Sequence, residues 1–194
     1  MAFNNGFIFV PLLSSGMEIN MILVFGGIGS GKSAYAEKLV EAYQCKKAYL
    51  ATMKVYDEEG RKKVEKHRKM REGKFDRSIE LPTDVANADV EKDELVLLEC
   101  MSNLLANEMF KEDLTVDADS VAKKISADIK KLNSKAYELI IVGNDVFMDK
   151  GEHSVEVKAY IKALKEIQRE IAKEAKAVVE VIYGLPYERK DDIF

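Results

Sequence analysis

The sequence contains only two cysteines, Cys45 and Cys100. Two cysteines are too few for a disulfide framework, and these two lack the spacing of a metal site. The sequence also lacks any apolar run approaching the roughly 20 residues that a membrane-spanning helix requires. Neither sign of charge dominates, because the formal net charge is −4 over 194 residues, so charge does not indicate nucleic acid or an anionic membrane as a partner. These absences favour a protein of a reducing cytoplasm.

The first twenty residues make a poor secretory signal. The apolar segment 6–13 is short, contains Pro11 and is not preceded by a basic residue. The first convincing strand begins only at Met21. We therefore expect residues 1–20 to be an extension of uncertain status. We expect residues 21–194 to form a single domain, because no repeat, linker or low-complexity tract interrupts them.

Short apolar runs alternate with longer segments of helical periodicity from Met21 onward. The runs predict strands at 21–25, 47–52, 95–99, 138–142 and 177–183. The periodic segments predict a helix that buries Tyr35, Ala36, Leu39, Val40 and Tyr43, and further helices near 57–72, 102–110, 118–132 and 155–176. Near-continuous apolar strands separated by helices are typical of a mainly parallel sheet covered on both faces. The pattern therefore predicts an α/β fold with three layers, α/β/α.

A glycine-rich motif of the form G-x-x-x-x-G-K-S follows the first predicted strand and precedes the first predicted helix. It consists of Gly26, Gly27, Ile28, Gly29, Ser30, Gly31, Lys32 and Ser33. In this context the backbone N–H groups and the helix N-terminus surround phosphate oxygens. We expect Lys32 to reach the β- and γ-phosphates and the Ser33 hydroxyl to bind Mg²⁺. The motif predicts a nucleoside triphosphate site; the alternative is a glycine-rich turn with an accidental Lys-Ser.

A second acidic ligand for Mg²⁺ is expected at the end of a neighbouring strand. Glu99 ends the predicted strand 95–99 and is the candidate, holding the ion directly or through water. A carboxylate beside buried apolar residues needs a cation or hydrogen-bond donors nearby, which favours this role. The alternative is an ordinary carboxylate at a strand end.

The predicted helix near 57–72 is unusual because Val64 is its only clearly apolar residue between 57 and 69. Such a helix faces either solvent or a charged ligand. His67 lies in it among lysines and arginines, whose charges keep an imidazole neutral and nucleophilic. A neutral imidazole can attack an α-phosphorus and carry the nucleotide covalently. The alternative is a solvated charged face.

Several of these segments resemble one known family, adenosylcobinamide kinase/adenosylcobinamide-phosphate guanylyltransferase. The resemblance rests on the loop at 26–33, on Ala51-Thr52, on the segment 57–82 with His67-Arg68, on 98–100, on 142–146 and on 184–186. It covers nearly everything after residue 20 and implies a P-loop NTPase fold with a RecA-like sheet. It also implies a homotrimer.

The resemblance implies two reactions in the assembly of the nucleotide loop of cobalamin. ATP or GTP phosphorylates adenosylcobinamide, and GTP then guanylylates His67, from which GMP passes to adenosylcobinamide phosphate. The family's catalytic positions correspond to Lys32 and His67. Its nucleotide contacts correspond to the loop and to Ala51, Thr52, Met53, Arg68, Lys69, Met70, Arg71, Glu80 and Glu99.

The segment 147–153 departs from the family. Phe147 replaces a usual glycine, and the usual proline is missing. Both changes fall where the corrinoid substrate or a trimer neighbour is expected. Two alternatives therefore stay open: a P-loop kinase for another small alcohol, and a non-catalytic nucleotide-sensing paralogue that has lost its acceptor site. The other histidine, His153, is expected in a polar loop without a catalytic role.

Overall fold

A computed structural model describes residues 20–55, 58–111, 114–115, 117–145 and 152–190 of the protein. The helices are α1 (Lys32–Glu41), α2 (Glu58–Met70), α3 (Met101–Met109), α4 (Ala118–Asn133) and α5 (Val155–Glu174). The strands are β1 (Met21–Phe25), β2 (Lys46–Ala51), β3 (Arg77–Glu80), β4 (Glu94–Glu99), β5 (Phe110–Lys111), β6 (Leu114–Thr115), β7 (Glu138–Val142), β8 (Ala177–Ile182) and β9 (Leu185–Glu188).

Seven of these strands form one sheet in the order β3-β2-β4-β7-β1-β8-β9. Every neighbouring pair is parallel except β8 and β9. The strand before the phosphate loop, β1, lies in the interior of the sheet, and only β7 separates it from β4, which carries Glu99. The mainly parallel, RecA-like sheet predicted above is thus confirmed.

Helices cover both faces of this sheet, which confirms the three layers. On one face α1 buries Leu39 and Val40 against the side chains of Ile22 and Val24 from β1. On the other face α3, α4 and α5 pack over the alternate residues of the same strands. Because the central strands are buried on both sides, nearly all of their side chains are apolar.

The boundaries of the longer helices follow from their capping residues. Asp117 accepts a hydrogen bond from the backbone N–H of Ser120 at 2.9 Å, so α4 begins at Ala118. Ser154 caps α5 in the same way. A stripe formed by Leu164, Ile167 and Ile171 holds α5 on the sheet.

Two edge strands were not predicted. β3 alternates partly buried and exposed residues over four positions, and it is fixed by Arg77, which binds the buried Glu94 through two hydrogen bonds of 2.7 and 2.6 Å. These bonds hold the pKa of Glu94 below its usual range.

The other edge strand, β9, is exposed along its whole length. It returns antiparallel after a turn at Tyr183-Gly184, where we expected the last strand simply to end.

The predicted N-terminal extension and the altered segment around Phe147 lie outside the described residues, apart from Asn20, Glu152 and His153. Within the described ranges, no helix is long and apolar enough to cross a membrane.

Candidate active site

The phosphate loop connects β1 to α1 and depends on glycine at defined positions. Gly29 and Gly31 have φ values of 72° and 90°, which residues with a side chain rarely adopt. Gly31 also caps α1, and its carbonyl accepts a hydrogen bond from Tyr35 at 3.0 Å. The backbone therefore turns sharply and leaves the N-terminus of α1 at the loop, where it can meet an anion.

The strands on either side of β1 hold the loop in place. The N–H of Asp145, after β7, donates to the carbonyl of Gly26 at 2.9 Å, and the N–H of Gly184, after β8, donates to the carbonyl of Ser30 at 2.7 Å. The hydroxyl of Ser30 is buried and has no hydrogen-bond partner among the described residues. A phosphate oxygen would satisfy such a hydroxyl, so the loop fits the ligand that the motif predicts.

Substitution of each of the first two glycines of the loop should show which glycine is needed because a side chain would not fit there. A Cβ at Gly26 would lie 2.4 Å from the backbone oxygen of Val181, whereas a Cβ at Gly27 would meet nothing within 4 Å. We expect Gly26→Ala to weaken nucleotide binding about tenfold or more and to destabilise the fold by roughly 1–3 kcal/mol, because backbone must move. Calorimetric titration with a nucleotide and urea denaturation would measure both effects, with Gly27→Ala as the matched control. Equal behaviour of the two variants would contradict this account.

Lys32 is the first residue of α1 and is partly buried. Its ammonium group donates to the carbonyl of Gly27 at 3.1 Å, so it folds back over the loop. Burial lowers the pKa of Lys32, while the negative charge of Glu99 opposes this shift. The same interactions show that Lys32 and the end of β4 lie within electrostatic reach of each other. A bound phosphate would add a further negative charge beside Lys32.

Glu99 lies at the centre of a partly buried polar cluster. Its carboxylate accepts a hydrogen bond from the Tyr49 hydroxyl at 2.9 Å and forms an ion pair of 3.5 Å with Arg71. The guanidinium of Arg71 in turn stacks 3.6 Å from the centre of the Tyr49 ring. Burial and the charge of Glu99 raise the pKa of Tyr49, so its hydroxyl stays protonated and donates. Glu99 is therefore held in one orientation by two donors.

A cavity of about 310 Å³ opens beside this cluster. Five residues that the sequence predicted as nucleotide contacts line it: Ala51, Met53, Arg71, Glu80 and Glu99. The cavity also contains Tyr49, Asn103 and Asn144, to which sequence reasoning gave no role. Gln168 fixes Asn144 by donating to its backbone carbonyl at 3.0 Å, and the Asn144 amide donates to the Ser102 hydroxyl. The wall combines charged, amide and apolar groups, as small-molecule sites do.

Helix α2 passes along this cavity and includes position 67. Val64 and Arg71 both line the cavity. Residues three and four positions apart share one face of a helix, so position 67 lies on the same face of α2 as Val64. Arg71 directly follows the last residue of the helix. The side chains of His67 and Met70 are not among those described.

Arg68 and Lys69 lie elsewhere. Both line a larger groove of about 780 Å³ between the end of α2 and the edge strand β3, and Arg68 also borders a third space with Val64 and Glu80. Thr52 is fully buried, and its hydroxyl donates to the carbonyl of Cys100 at 2.8 Å. Thr52 therefore joins the ends of β2 and β4.

Comparison with known proteins identifies the family of this chain. The model of the family "Cobinamide kinase / cobinamide phosphate guanyltransferase" matches residues 22–188. The chain belongs to this family. The match spans the loop, the Glu99 cluster and α2, so the site described above lies within the part that defines the family.

Two relatives agree with this membership. The "Bifunctional adenosylcobalamin biosynthesis protein CobU" of Escherichia coli K12 is 28% identical over 177 residues, which cover 85% of this chain and 97% of the relative. The protein of the same name from Salmonella typhimurium LT2 is 37% identical over 95 residues, which cover 46% of this chain and 50% of the relative. Membership of the family supports a nucleotide-binding transferase of cobalamin biosynthesis.

Proposed function

We propose that this chain phosphorylates adenosylcobinamide and then transfers GMP from GTP, through a guanylylated His67, to adenosylcobinamide phosphate. The observation that carries the proposal is the arrangement of α2 around the cavity beside Glu99. Val64 of α2 and Arg71, which directly follows the helix, line that cavity, and position 67 shares the helical face of Val64. The helix that bears His67 thus borders the cavity beside Glu99, and Lys32 of the phosphate loop interacts electrostatically with Glu99. This supports a transfer in which the triphosphate on the loop reaches toward that cavity.

In the phosphorylation step, the hydroxyl oxygen of the corrinoid side chain attacks the γ-phosphorus, and the bond to the β–γ bridging oxygen breaks. The loop N–H groups and Lys32 hold the β- and γ-phosphates and stabilise the charge that develops there. Lys32 already lies over the loop at 3.1 Å from the Gly27 carbonyl, so only a small movement brings it to a phosphate.

In the guanylyl step, an imidazole nitrogen of His67 attacks the α-phosphorus of GTP and pyrophosphate leaves. An oxygen of adenosylcobinamide phosphate then attacks the same phosphorus, the bond to the imidazole breaks, and adenosylcobinamide-GDP forms. We assign Arg71 to the charge of the transferred phosphate, since it lies one turn from position 67 and on the wall of the cavity.

We assign Mg²⁺ to the Ser33 hydroxyl and the Glu99 carboxylate. Both hydrogen-bonding contacts of Glu99 use the same oxygen, Oε2, and no described residue donates to the other. Hard oxygen donors with room for water and phosphate suit this ion. When bound, Mg²⁺ neutralises charge on the phosphate oxygens during transfer.

Incubation with GTP labelled with ³²P at the α-phosphorus tests the covalent step. We expect a label on the protein that is acid-labile and base-stable, as a phosphoramidate is, and no label from GTP that carries ³²P at the γ-phosphorus. Transfer of γ-phosphate to adenosylcobinamide without any protein label would leave only the kinase half. Tight GTP binding without turnover on cobinamide substrates would instead favour the nucleotide-sensing alternative.

We also propose that the chain forms a homotrimer, which light scattering would report as three times the mass of one chain.

A further inference from the structure

The turn between β8 and β9 presents an aromatic ring that the described residues leave exposed. Tyr183 is 94% exposed, and its φ of 48° places it in the left-handed region that non-glycine residues rarely occupy. Gly184 follows with a φ of 81°. A large aromatic ring in a constrained turn, left exposed by the part of the chain that the structure describes, points to a surface that is completed by a ligand.

This turn is fastened to the phosphate loop. Gly184 donates from its N–H to the carbonyl of Ser30 at 2.7 Å. A Cβ at Gly31 would lie only 3.1 Å from the Cα of Gly184, so the two backbones touch. Tyr183 is the next residue, and its backbone position is therefore fixed relative to any phosphate that the loop holds.

The order of the strands gives the direction in which a bound nucleotide runs. In the series β4-β7-β1-β8, the loop follows β1, Glu99 ends β4 on one side, and the turn with Tyr183 follows β8 on the other. Ligands of open parallel sheets lie across the carboxyl ends of the strands. A nucleotide whose γ-phosphate points toward the cavity at Glu99 therefore has its base on the opposite side of the loop, beside β8.

We propose that Tyr183 is the stacking platform for the purine base of the triphosphate that donates its γ-phosphate. The proposal rests on the kinase half of the proposed function. It does not extend to guanylyl transfer, because attack by His67 brings the α-phosphorus, and with it the guanosine, toward the cavity on the β4 side. One loop would thus serve two placements of the base, and Tyr183 would stabilise only the first.

The test uses one probe with a nucleoside and one without: the non-hydrolysable analogue AMP-PNP and inorganic tripolyphosphate, each titrated calorimetrically with Mg²⁺. Tyr183→Asn removes the ring, and asparagine tolerates the left-handed backbone. We expect it to weaken AMP-PNP binding about tenfold, on the scale of base–aromatic stacking, and to leave tripolyphosphate binding and the α-³²P label on His67 unchanged. Tyr183→Phe should bind as the wild type does, and so should Tyr187→Ala on the same hairpin.

Three outcomes would overturn the inference. One is AMP-PNP affinity unaffected by Tyr183→Asn. Another is equal weakening of both probes, which would mean that the turn supports the loop rather than the base. A third is a change of mass in light scattering at unchanged affinity, which would make Tyr183 a contact between copies. If the wild-type protein binds neither probe, the nucleotide site of the proposed function fails first, and this inference fails with it.

Discussion

A His67→Ala variant is expected to lose GMP transfer while it retains phosphorylation of adenosylcobinamide. Removal of the nucleophile leaves no nitrogen to hold the α-phosphoryl group, so transfer should fall by at least about 10³-fold. The phosphate loop and Glu99 belong to other elements, β1–α1 and β4, and are untouched by the change. The measurement is the α-³²P protein label together with the formation of adenosylcobinamide phosphate and adenosylcobinamide-GDP.

The chain supplies its own control for this experiment, since it has one other histidine, His153. His153 precedes α5 and is not among the residues that line the cavity beside Glu99. His153→Gln should therefore keep the α-³²P label, whose formation does not require the corrinoid substrate. A label that persists in His67→Ala would assign the covalent step to another residue and refute the role of His67.

Replacement of Lys32 by alanine is expected to reduce both reactions by about 10²–10³-fold, the usual cost of removing one preorganised donor from a phosphoryl-transfer site. Both steps begin from a triphosphate on the same loop, so one residue should affect both, in contrast to His67. Burial lowers the pKa of Lys32, and the carboxylate of Glu99 opposes this shift. A bound triphosphate adds negative charge beside the ammonium and favours its charged form.

Lys38 provides the matched control for Lys32, because it lies on the exposed side of the same helix. Initial rates of phosphorylation and of protein labelling in Lys32→Ala and Lys38→Ala would be compared at saturating substrate. A Lys32→Ala variant that phosphorylates normally would show that the loop lysine does not stabilise the transferred group.

The parts of the fold that could be predicted are those whose sequence reports burial directly. β1, β4 and β7 are buried on both faces, so their apolar runs identify them and imply parallel pairing. β3 and β9 are edge strands with many exposed residues, and their sequences carry no such signal. The placement of β3 depends on residues further along the chain, such as Glu94 for Arg77. β9 pairs with the strand directly before it, but its exposed residues give no apolar pattern that would report this pairing.

The residues of the site also fall into those that could be predicted from the sequence and those that could not. The loop is a contiguous motif, and Glu99 ends an apolar strand, so both could be found from local patterns. Tyr49 could not, because an aromatic residue in a strand is usually part of the core. Its role follows from the pairing of β2 with β4, which sets Ala51 opposite Glu99 and brings Tyr49 beside the carboxylate across 50 positions of sequence.

The position of β1 has a consequence for the order in which this protein can assemble. The first strand described in the chain pairs with β7 and β8, so its neighbours are synthesised more than a hundred residues later. The walls of the phosphate loop, Asp145 and Gly184, come equally late. Such non-local pairing is slow to form, and a nascent chain exposes an unpartnered apolar strand until its C-terminal quarter emerges. The phosphate loop is thus translated before the segments that hold it in place, and the nucleotide site is among the last parts of the described fold to be completed.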